Sequence, residues 1–183
     1  MIITITGKPC SGKGAVSKIL CERHNFEYVC TGNMMRDISK KLGFKSVLEF
    51  QLSEQVKSAD KIVDGNIIEI GKTRLHENNL IDSRLAWHFI PKSFKVFIDV
   101  DWNIAGERLL KANREHETSE TLEEAVEILQ QRWDVENKRY TSTYNTNNLD
   151  LSNYDFVVSS NNLSPEELAE VIYNEYLKFM HRA

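Results

Sequence analysis

The chain has 183 residues, a formal net charge of −4, 41% apolar residues and 27% charged residues. This composition is close to the average of globular proteins and predicts one compact domain, because a chain of this length has no room for a second large core. The acidic balance argues against a protein that holds nucleic acid or an anionic membrane through net charge. We therefore expect small-molecule partners, with no nucleic acid and no membrane.

The three cysteines, Cys10, Cys21 and Cys30, form neither a CxxC pair nor a Cys/His metal-binding spacing. Such cysteines predict free thiols in a reducing compartment. No apolar run approaches the ~20 residues of a membrane-spanning helix, and the apolar run at 2–6 is too short for the core of a signal peptide. We expect a cytoplasmic protein. No motif indicates an oligomer interface, and a monomer is the expectation.

Short β-branched runs alternate with longer segments of helical spacing along the chain. Strands are predicted at 2–6, 27–30, 79–82, 95–100 and 155–159. The last helix is predicted to begin at Ser164-Pro165-Glu166-Glu167, since this segment combines a capping residue, a first-turn proline and acidic residues. Strands separated by helices pair in parallel and bind ligands at their carboxyl ends, which makes the segments after the strands candidate sites.

The first predicted strand leads directly into Gly7-Lys8-Pro9-Cys10-Ser11-Gly12-Lys13-Gly14 and then into a helix. A phosphate group needs close backbone N–H groups, a helix N-terminus and a cation, which Gly7, Gly12, Gly14 and Lys13 supply. The alternative is a glycine turn with a solvated lysine. The general phosphate-loop pattern has Ser or Thr after the lysine, where this chain has Gly14.

The second predicted strand is followed by Thr31 and, one helical turn on, by Arg36. The planar guanidinium of Arg36 can hold a phosphate group through two parallel hydrogen bonds. The alternative is a helix that is capped by Thr31 or Asn33 and leaves Arg36 in solvent.

Carboxylates follow the third and fourth predicted strands. Asp82 ends the third strand, where it can hold a water molecule of Mg²⁺, since this ion takes few protein ligands. The alternative for Asp82 is a helix cap or a surface ion pair. Asp99 and Asp101 could compete for the metal, but Asp101 precedes a helical segment and is assigned as its cap.

Arginines recur in the second half of the chain, at Arg108, Arg114, Arg132 and Arg139. Arg132 and Arg139 are seven residues apart, so two guanidinium groups project from one face of the helix that includes 127–140. Positioned cations of this kind stabilise a moving phosphoryl group. The alternative is an exposed helix with ion pairs to its own glutamates, Glu123, Glu124, Glu127 and Glu136.

The loop Gly-x-Pro-x-x-Gly-Lys-Gly resembles that of nucleoside monophosphate kinases. The segments 31–36, Asp82-Ser83-Arg84 and 132–139 are similar to those of short, archaeal-type cytidylate kinases, and the resemblance runs from Met1 to about Lys178. It implies an α/β fold with a P-loop NTPase-type parallel five-stranded sheet flanked by helices. It also implies one kinase-like domain over 1–183, with a monophosphate-binding cover at about 37–78 and a helical lid at about 108–140.

The activity implied by this resemblance is transfer of the γ-phosphoryl group of MgATP to CMP or dCMP, which gives CDP or dCDP. The implied ATP-binding residues are Gly7, Ser11, Gly12, Lys13, Gly14, Ala15 and Arg108. The implied acceptor-binding residues are Thr31, Arg36 and Arg84. The implied catalytic residues are Lys13, Asp82, Arg132 and Arg139, with Asp82 also organising Mg²⁺ through water and Arg114 assisting in the lid.

The chain departs from the family pattern at several of these positions. Ala15 stands where the family has Thr, Asn33 where it has Asp, and Ser83 where it has Gly. Two alternatives therefore stay open: a kinase of the same fold with another acceptor, such as AMP, UMP or another small molecule, and a nucleotide-binding regulatory module without turnover.

Overall fold

A computed structural model describes residues 1–75, 77–112 and 119–182 of the chain. The strands are β1 Ile2–Gly7, β2 Glu27–Cys30, β3 Asn79–Asp82, β4 Phe94–Asp99 and β5 Phe156–Ser159. The helices are α1 Lys13–His24, α2 Thr31–Lys41, α3 Val47–Leu52, α4 Val56–Thr73, α5 Ala86–Phe89, α6 Trp102–Ala112, α7 Leu122–Tyr144 and α8 Pro165–Arg182, with a 3₁₀ turn at Leu151–Asn153.

The five strands form one sheet in the order β2-β3-β1-β4-β5, and every neighbouring pair is parallel. The predicted α/β fold class is thus confirmed, and each predicted strand boundary lies within one residue of the observed one. The predicted cap of the last helix is also confirmed. The backbone N–H of Glu167 donates to Ser164 Oγ over 3.2 Å, and the Glu167 carboxylate accepts from the Ser164 N–H over 2.8 Å, which is a capping box.

The central strand β1 is buried along its whole length. Strands of a parallel sheet are covered on both faces, so they carry nearly continuous apolar sequence. On one face Ile3 and Ile5 of β1 pack with residues of α1 and α8, and on the other Ile2 packs with residues of α4 and α5. Because helices cover both faces, the edge at the carboxyl ends of the strands is left for a site.

Helices α2 to α4 lie between β2 and β3 and contain most of the predicted cover. Helices α6 and α7 contain the described part of the predicted lid, while Arg114 lies within 113–118, outside the described residues. The three cysteines are free thiols, as predicted. In the part of the chain that the structure describes, no helix is long and apolar enough to cross a bilayer.

Candidate active site

A cleft of about 1020 Å³ opens at the carboxyl ends of the strands. It brings together residues that are distant in the sequence, from the loop after β1 to the middle of α7. Most of the site residues expected from the sequence line this cleft: Ser11, Gly12, Lys13, Gly14, Ala15, Thr31, Arg36, Asp82, Arg84, Arg108, Arg132 and Arg139.

The loop between β1 and α1 has the geometry of an anion-binding loop. Gly12 precedes α1 with a φ of +91°, so the chain turns sharply and the first N–H groups of the helix face the loop. The Lys13 ammonium folds back over the loop and donates to the carbonyl oxygens of Gly7 and Lys8 over 3.0 and 2.7 Å. It also lies 3.3 Å from Ser11 Oγ.

The surroundings of Gly7 and Gly14, two glycines of the predicted phosphate loop, differ in the room they leave for a side chain. Gly7 has a φ of +147°, and a Cβ there would lie 2.0 Å from the carbonyl oxygen of Ile98 in β4. The sheet therefore excludes any side chain at Gly7, which contributes its carbonyl oxygen beside the cleft. At Gly14 a Cβ would meet only Tyr28 Oη, at 3.8 Å, so this position has room for a small side chain.

The positive charge of Lys13 is suppressed in this structure. Burial and, after it, the nearby Arg84 guanidinium lower the pKa of Lys13 to about 7, although the carboxylates of Asp82 and Glu136 act in the opposite direction. A nearby anion stabilises the charged form of a lysine, and this effect is largest when the lysine is buried beside a second cation. A phosphate group placed here would restore the full charge of Lys13.

Asp82 ends β3 in register with Ile5 of β1 and Cys30 of β2. Its carboxylate accepts from Tyr28 Oη over 3.4 Å and from Cys30 Sγ over 3.9 Å, while its carbonyl oxygen accepts from Thr31 Oγ1 over 3.2 Å. Asp82 lines the cleft and does not cap α5, which begins four residues later. The interpretation of Asp82 as a helix cap is therefore wrong.

The two aspartates that follow β4 are occupied elsewhere. Asp101 caps α6 as predicted, since Asp101 Oδ1 accepts from the Asn103 N–H over 2.9 Å. Asp99 pairs with Lys8 over 2.8 Å. Among the described residues no three His, Cys, Asp or Glu side chains converge as metal ligands. A carboxylate on the cleft lining, such as that of Asp82, fits Mg²⁺, because this ion is held mainly by water and substrate phosphates.

Arg36 lies in the middle of α2 and lines the cleft. Its Nη2 donates to Asn33 Oδ1 over 2.6 Å. The residue that precedes α2 is Cys30, and no side chain caps this helix, so capping by Thr31 or Asn33 is excluded. Asn33, at the position where the resembling family has Asp, instead holds the guanidinium group of Arg36.

Arg84 and Glu136 form a buried ion pair, with Arg84 Nε 2.7 Å from Glu136 Oε2. Arg84 Nη1 also donates to the carbonyl oxygen of Gly7, and Glu136 Oε1 accepts from Gln51 Nε2. Burial alone would raise the pKa of Glu136. The positive charges of Arg84, Arg132 and Arg139 outweigh it and lower the pKa to about 2, so the carboxylate is ionised.

Arg132 and Arg139 share the face of α7 that borders the cleft, as their spacing predicts. Arg132 is only 7% exposed, and Arg139 Nε pairs with Asp60 of α4 over 2.7 Å. The alternative of an exposed helix with local ion pairs is therefore wrong for this face. Glu136, which that alternative counted among the local partners, is bound to Arg84 instead.

Arg108 reaches the cleft from α6 but uses its guanidinium group to brace the loop. Arg108 Nη1 donates to the Cys10 carbonyl oxygen over 3.2 Å and to Ser160 Oγ over 2.9 Å, and Nη2 donates to the Ser160 carbonyl oxygen over 2.7 Å. These bonds join the loop after β1 to the segment after β5. Arg108 thus fixes the shape of the loop.

The family of the chain follows from the fold and this cleft. An anion-binding loop, a carboxylate at a strand end and arginines on one cleft define a P-loop phosphotransferase. Residues 3–130 match the family model described as "AAA domain". The cytidylate kinase of Sulfurisphaera tokodaii is 30% identical over 183 residues, which cover 98% of this chain and 97% of that protein. The chain belongs to the AAA domain family of P-loop proteins and, over its full length, to the cytidylate kinase family, a class of ATP-dependent nucleoside monophosphate kinases.

Two further comparisons add context. The chain is 34% identical over 180 residues to the S-adenosylmethionine-dependent nucleotide dehydratase of Lacinutrix mariniflava. The match covers 96% of this chain but 36% of that protein, so the chain spans about a third of this longer relative. The solved shikimate kinase of Bacteroides thetaiotaomicron superposes with a TM-score of 0.64 at 14% identity and covers 97% of this chain and 98% of that one, which shows a common fold.

Gln51, Asp60 and Glu136 are the polar residues whose importance the sequence reasoning missed. No motif in the sequence singles out Gln51 or Asp60, and Glu136 was considered only as a partner in local ion pairs. Each acquires its role from a contact between α7 and another segment that lies more than fifty residues away. No spacing within one helix reports such contacts.

The position after Gly14 gives a test of the loop. Ala15 is exposed and lines the cleft. Of the two nearby serines that could replace the missing hydroxyl, Ser17 is buried outside the lining, whereas Ser11 lines the cleft beside Lys13. A charge-assisted hydrogen bond is worth roughly 1.5–3 kcal/mol. After desolvation and rotamer costs, Ala15→Thr is expected to tighten ATP binding by up to about 1 kcal/mol, or roughly fivefold.

Titration calorimetry with ATP measures this gain. Ala15→Val is the matched control, since it adds the same bulk without a hydroxyl, and it should not tighten binding. Equal affinities of the Thr and Val variants would show that the loop has no place for the hydroxyl.

Proposed function

We propose that this chain transfers the γ-phosphoryl group of MgATP to CMP or dCMP and releases CDP or dCDP. The observation that carries the proposal is that Lys13 and Arg84 donate to the same atom, the carbonyl oxygen of Gly7. A cation of the phosphate loop and a cation from the end of β3 are thus adjacent. Two phosphate-bearing molecules that bind to these cations would meet between them.

The ATP side of the site is the loop after β1. The backbone N–H groups of 11–15 and the Lys13 ammonium hold the phosphates of ATP, because they converge at the N-terminus of α1. Arg108 keeps the loop in this shape through its bonds to Cys10 and Ser160. Binding ATP restores the charge on Lys13 that burial suppresses.

The acceptor side lies between α2 and the end of β3. Arg36 and Arg84 hold the phosphate of the monophosphate, while Thr31 fixes the backbone of Asp82. The acceptor phosphate is already ionised at neutral pH, so the transfer needs no general base. Catalysis comes from positioning two substrates and from stabilising the charge that spreads over the transferred group.

Asp82 holds a water molecule of the Mg²⁺ that accompanies ATP. Its carboxylate accepts from the Tyr28 hydroxyl and the Cys30 thiol, and Asp82 borders the cleft, so the carboxylate oxygens can accept further hydrogen bonds there. When bound, Mg²⁺ supplies charge neutralisation at the phosphate oxygens.

Arg132 stabilises the transferred phosphoryl group. Arg139 lies about 10 Å further along α7, at a rise of about 1.5 Å per residue. It is held by Asp60 of α4, and so it supports the acceptor side rather than the transferred group. The segment 108–140 serves as the lid over ATP and 37–78 as the cover over the monophosphate.

The test is a panel of acceptors with ATP and Mg²⁺ in a coupled assay of ADP release. CMP or dCMP should give the highest kcat/KM, and UMP and AMP should give lower values. A preference for AMP or for a small alcohol would contradict the acceptor assignment. Nucleotide binding without release of ADP would contradict the kinase proposal and indicate a regulatory module.

A further inference from the structure

Gln51 has an unpaired polar atom, and its side chain borders the part of the cleft that is proposed to hold the monophosphate. Its side chain extends from α3, is 7% exposed and lines the cleft. Gln51 Nε2 donates to Glu136 Oε1. Gln51 Oε1 is out of contact with solvent and has no hydrogen-bond partner among the residues that the structure describes.

The orientation of this amide follows from chemistry. Glu136 is ionised and paired with Arg84, and an ionised carboxylate can only accept hydrogen bonds. Gln51 must therefore present its NH₂ group to Glu136, which leaves the amide oxygen facing away from it. The contact with Glu136 thus fixes Gln51 Oε1 as a hydrogen-bond acceptor that is free to bind another group.

Arg139 places an unpaired donor beside the same carboxylate. Two of its nitrogens, Nε and Nη2, donate to Asp60 over 2.7 and 3.4 Å. Nη1 is buried and has no partner within the described part of the chain. Its positive charge acts on Glu136, the partner of Gln51. A hydrogen-bond acceptor, Gln51 Oε1, and a hydrogen-bond donor, Arg139 Nη1, therefore lie near Glu136, and both lack partners among the described residues.

Buried polar groups of folded proteins are almost always hydrogen-bonded, and each one left unpaired is costly. Two such atoms of opposite polarity, on residues that line the cleft, indicate a ligand edge that carries a hydrogen-bond donor next to a hydrogen-bond acceptor.

We propose that Gln51, held by Glu136, selects an acceptor base that has an amino group beside an unprotonated ring nitrogen. The amino group donates to Gln51 Oε1, and the ring nitrogen accepts from Arg139 Nη1. Cytosine and adenine have this edge, whereas uracil and guanine present a carbonyl oxygen at the position of the amino group. This assignment rests on the proposed monophosphate kinase activity and names the group that reads its base.

The experiment changes the protein and the base together. Wild type and Gln51→Leu are assayed with CMP, UMP, AMP and the 5′-monophosphate of 2-pyrimidinone riboside, which differs from CMP only by lacking the amino group. Gln51→Met is a second variant that fills the same space without an acceptor amide. Gln55→Leu is the matched control, since Gln55 is exposed and outside the cleft lining.

Wild type should use CMP roughly 10–100-fold better than the pyrimidinone nucleotide, because the latter leaves the buried amide oxygen unpaired. In Gln51→Leu and Gln51→Met the kcat/KM for CMP should fall by a similar factor, while that for the pyrimidinone nucleotide changes less than about threefold. The ratio between the two substrates then approaches one, which a general loss of structure would not produce. The KM for ATP and all values for Gln55→Leu should stay unchanged.

An equal loss for CMP and the pyrimidinone nucleotide in the Gln51 variants would overturn the inference and leave the kinase proposal intact. A wild-type preference for AMP that vanishes in Gln51→Leu would overturn the choice of CMP. It would still support a hydrogen bond between the amino group of the base and Gln51. A wild-type enzyme that prefers UMP would overturn the inference directly. Absence of turnover with every monophosphate would overturn the proposed function together with this assignment.

Discussion

Replacing Lys13 by Met is expected to lower kcat by roughly 10²–10³, the range found when a positioned charge-stabilising donor is removed from an active site. The ammonium group lies over the loop that is proposed to hold the phosphates of ATP. Because Met keeps the length of the side chain without its charge, the fold of the loop should change little. Lys178→Met, at an exposed lysine of α8, is the control.

Proton uptake gives a second readout for Lys13. At pH 7 to 8 much of the Lys13 population is neutral, because its pKa is lowered to about 7. Bound phosphate raises this pKa, so ATP binding should take up a proton. Calorimetry in buffers of different ionisation enthalpy measures the uptake, which should vanish in Lys13→Met. Unchanged turnover of the variant would remove the phosphate-loop argument.

Glu136→Gln is expected to lower the free energy of unfolding by roughly 3–5 kcal/mol at pH 7, the usual cost of removing one partner of a buried ion pair. The change leaves the Arg84 guanidinium buried without a counter-charge. Glu175→Gln is the matched control, since Glu175 pairs with Lys178 on the surface of α8 and such a pair is worth about 0–1 kcal/mol.

The pH dependence separates this charge effect from a packing effect. The pKa of Glu136 is depressed to about 2 in the folded chain, from an ordinary value of 4.5. Its contribution to stability is therefore complete above pH ~4.5 and is lost as the pH falls toward 2. Urea unfolding at several pH values should show that the difference in the free energy of unfolding between wild type and Glu136→Gln becomes smaller below pH 4.5. A gap that stays constant with pH would contradict the ion-pair account.

Sequence reasoning predicted the parts of the site that depend on local order. Lys13 and Asp82 could be found because Lys13 begins the helix after β1 and Asp82 ends β3, and the carboxyl ends of parallel strands share one edge. The common face of Arg132 and Arg139 followed from helical periodicity alone. Such inferences need only the chain near each residue.

The site residues that the sequence did not reveal depend on contacts between elements that are distant along the chain. Glu136 is a buried partner of Arg84 and Gln51 because α7 packs beside α3 and the end of β3, and nothing in the sequence near Glu136 distinguishes it from the exposed glutamates of the same helix. Gly7 was assigned to the phosphate because it lies in the loop. A further constraint on Gly7 is the carbonyl oxygen of Ile98 in a neighbouring strand, and this contact joins residues that are 91 positions apart.

Helix α7 is tied to the cover at three points along its length. Gln51 of α3 bonds to Glu136, Asp60 of α4 pairs with Arg139, and Asp64 of α4 accepts from the Tyr144 hydroxyl. We therefore expect a shift of α7 toward one of the two proposed nucleotides to strain the contacts that border the other. The affinities for the two would then be thermodynamically linked, and by reciprocity each would change the binding of the other by the same factor.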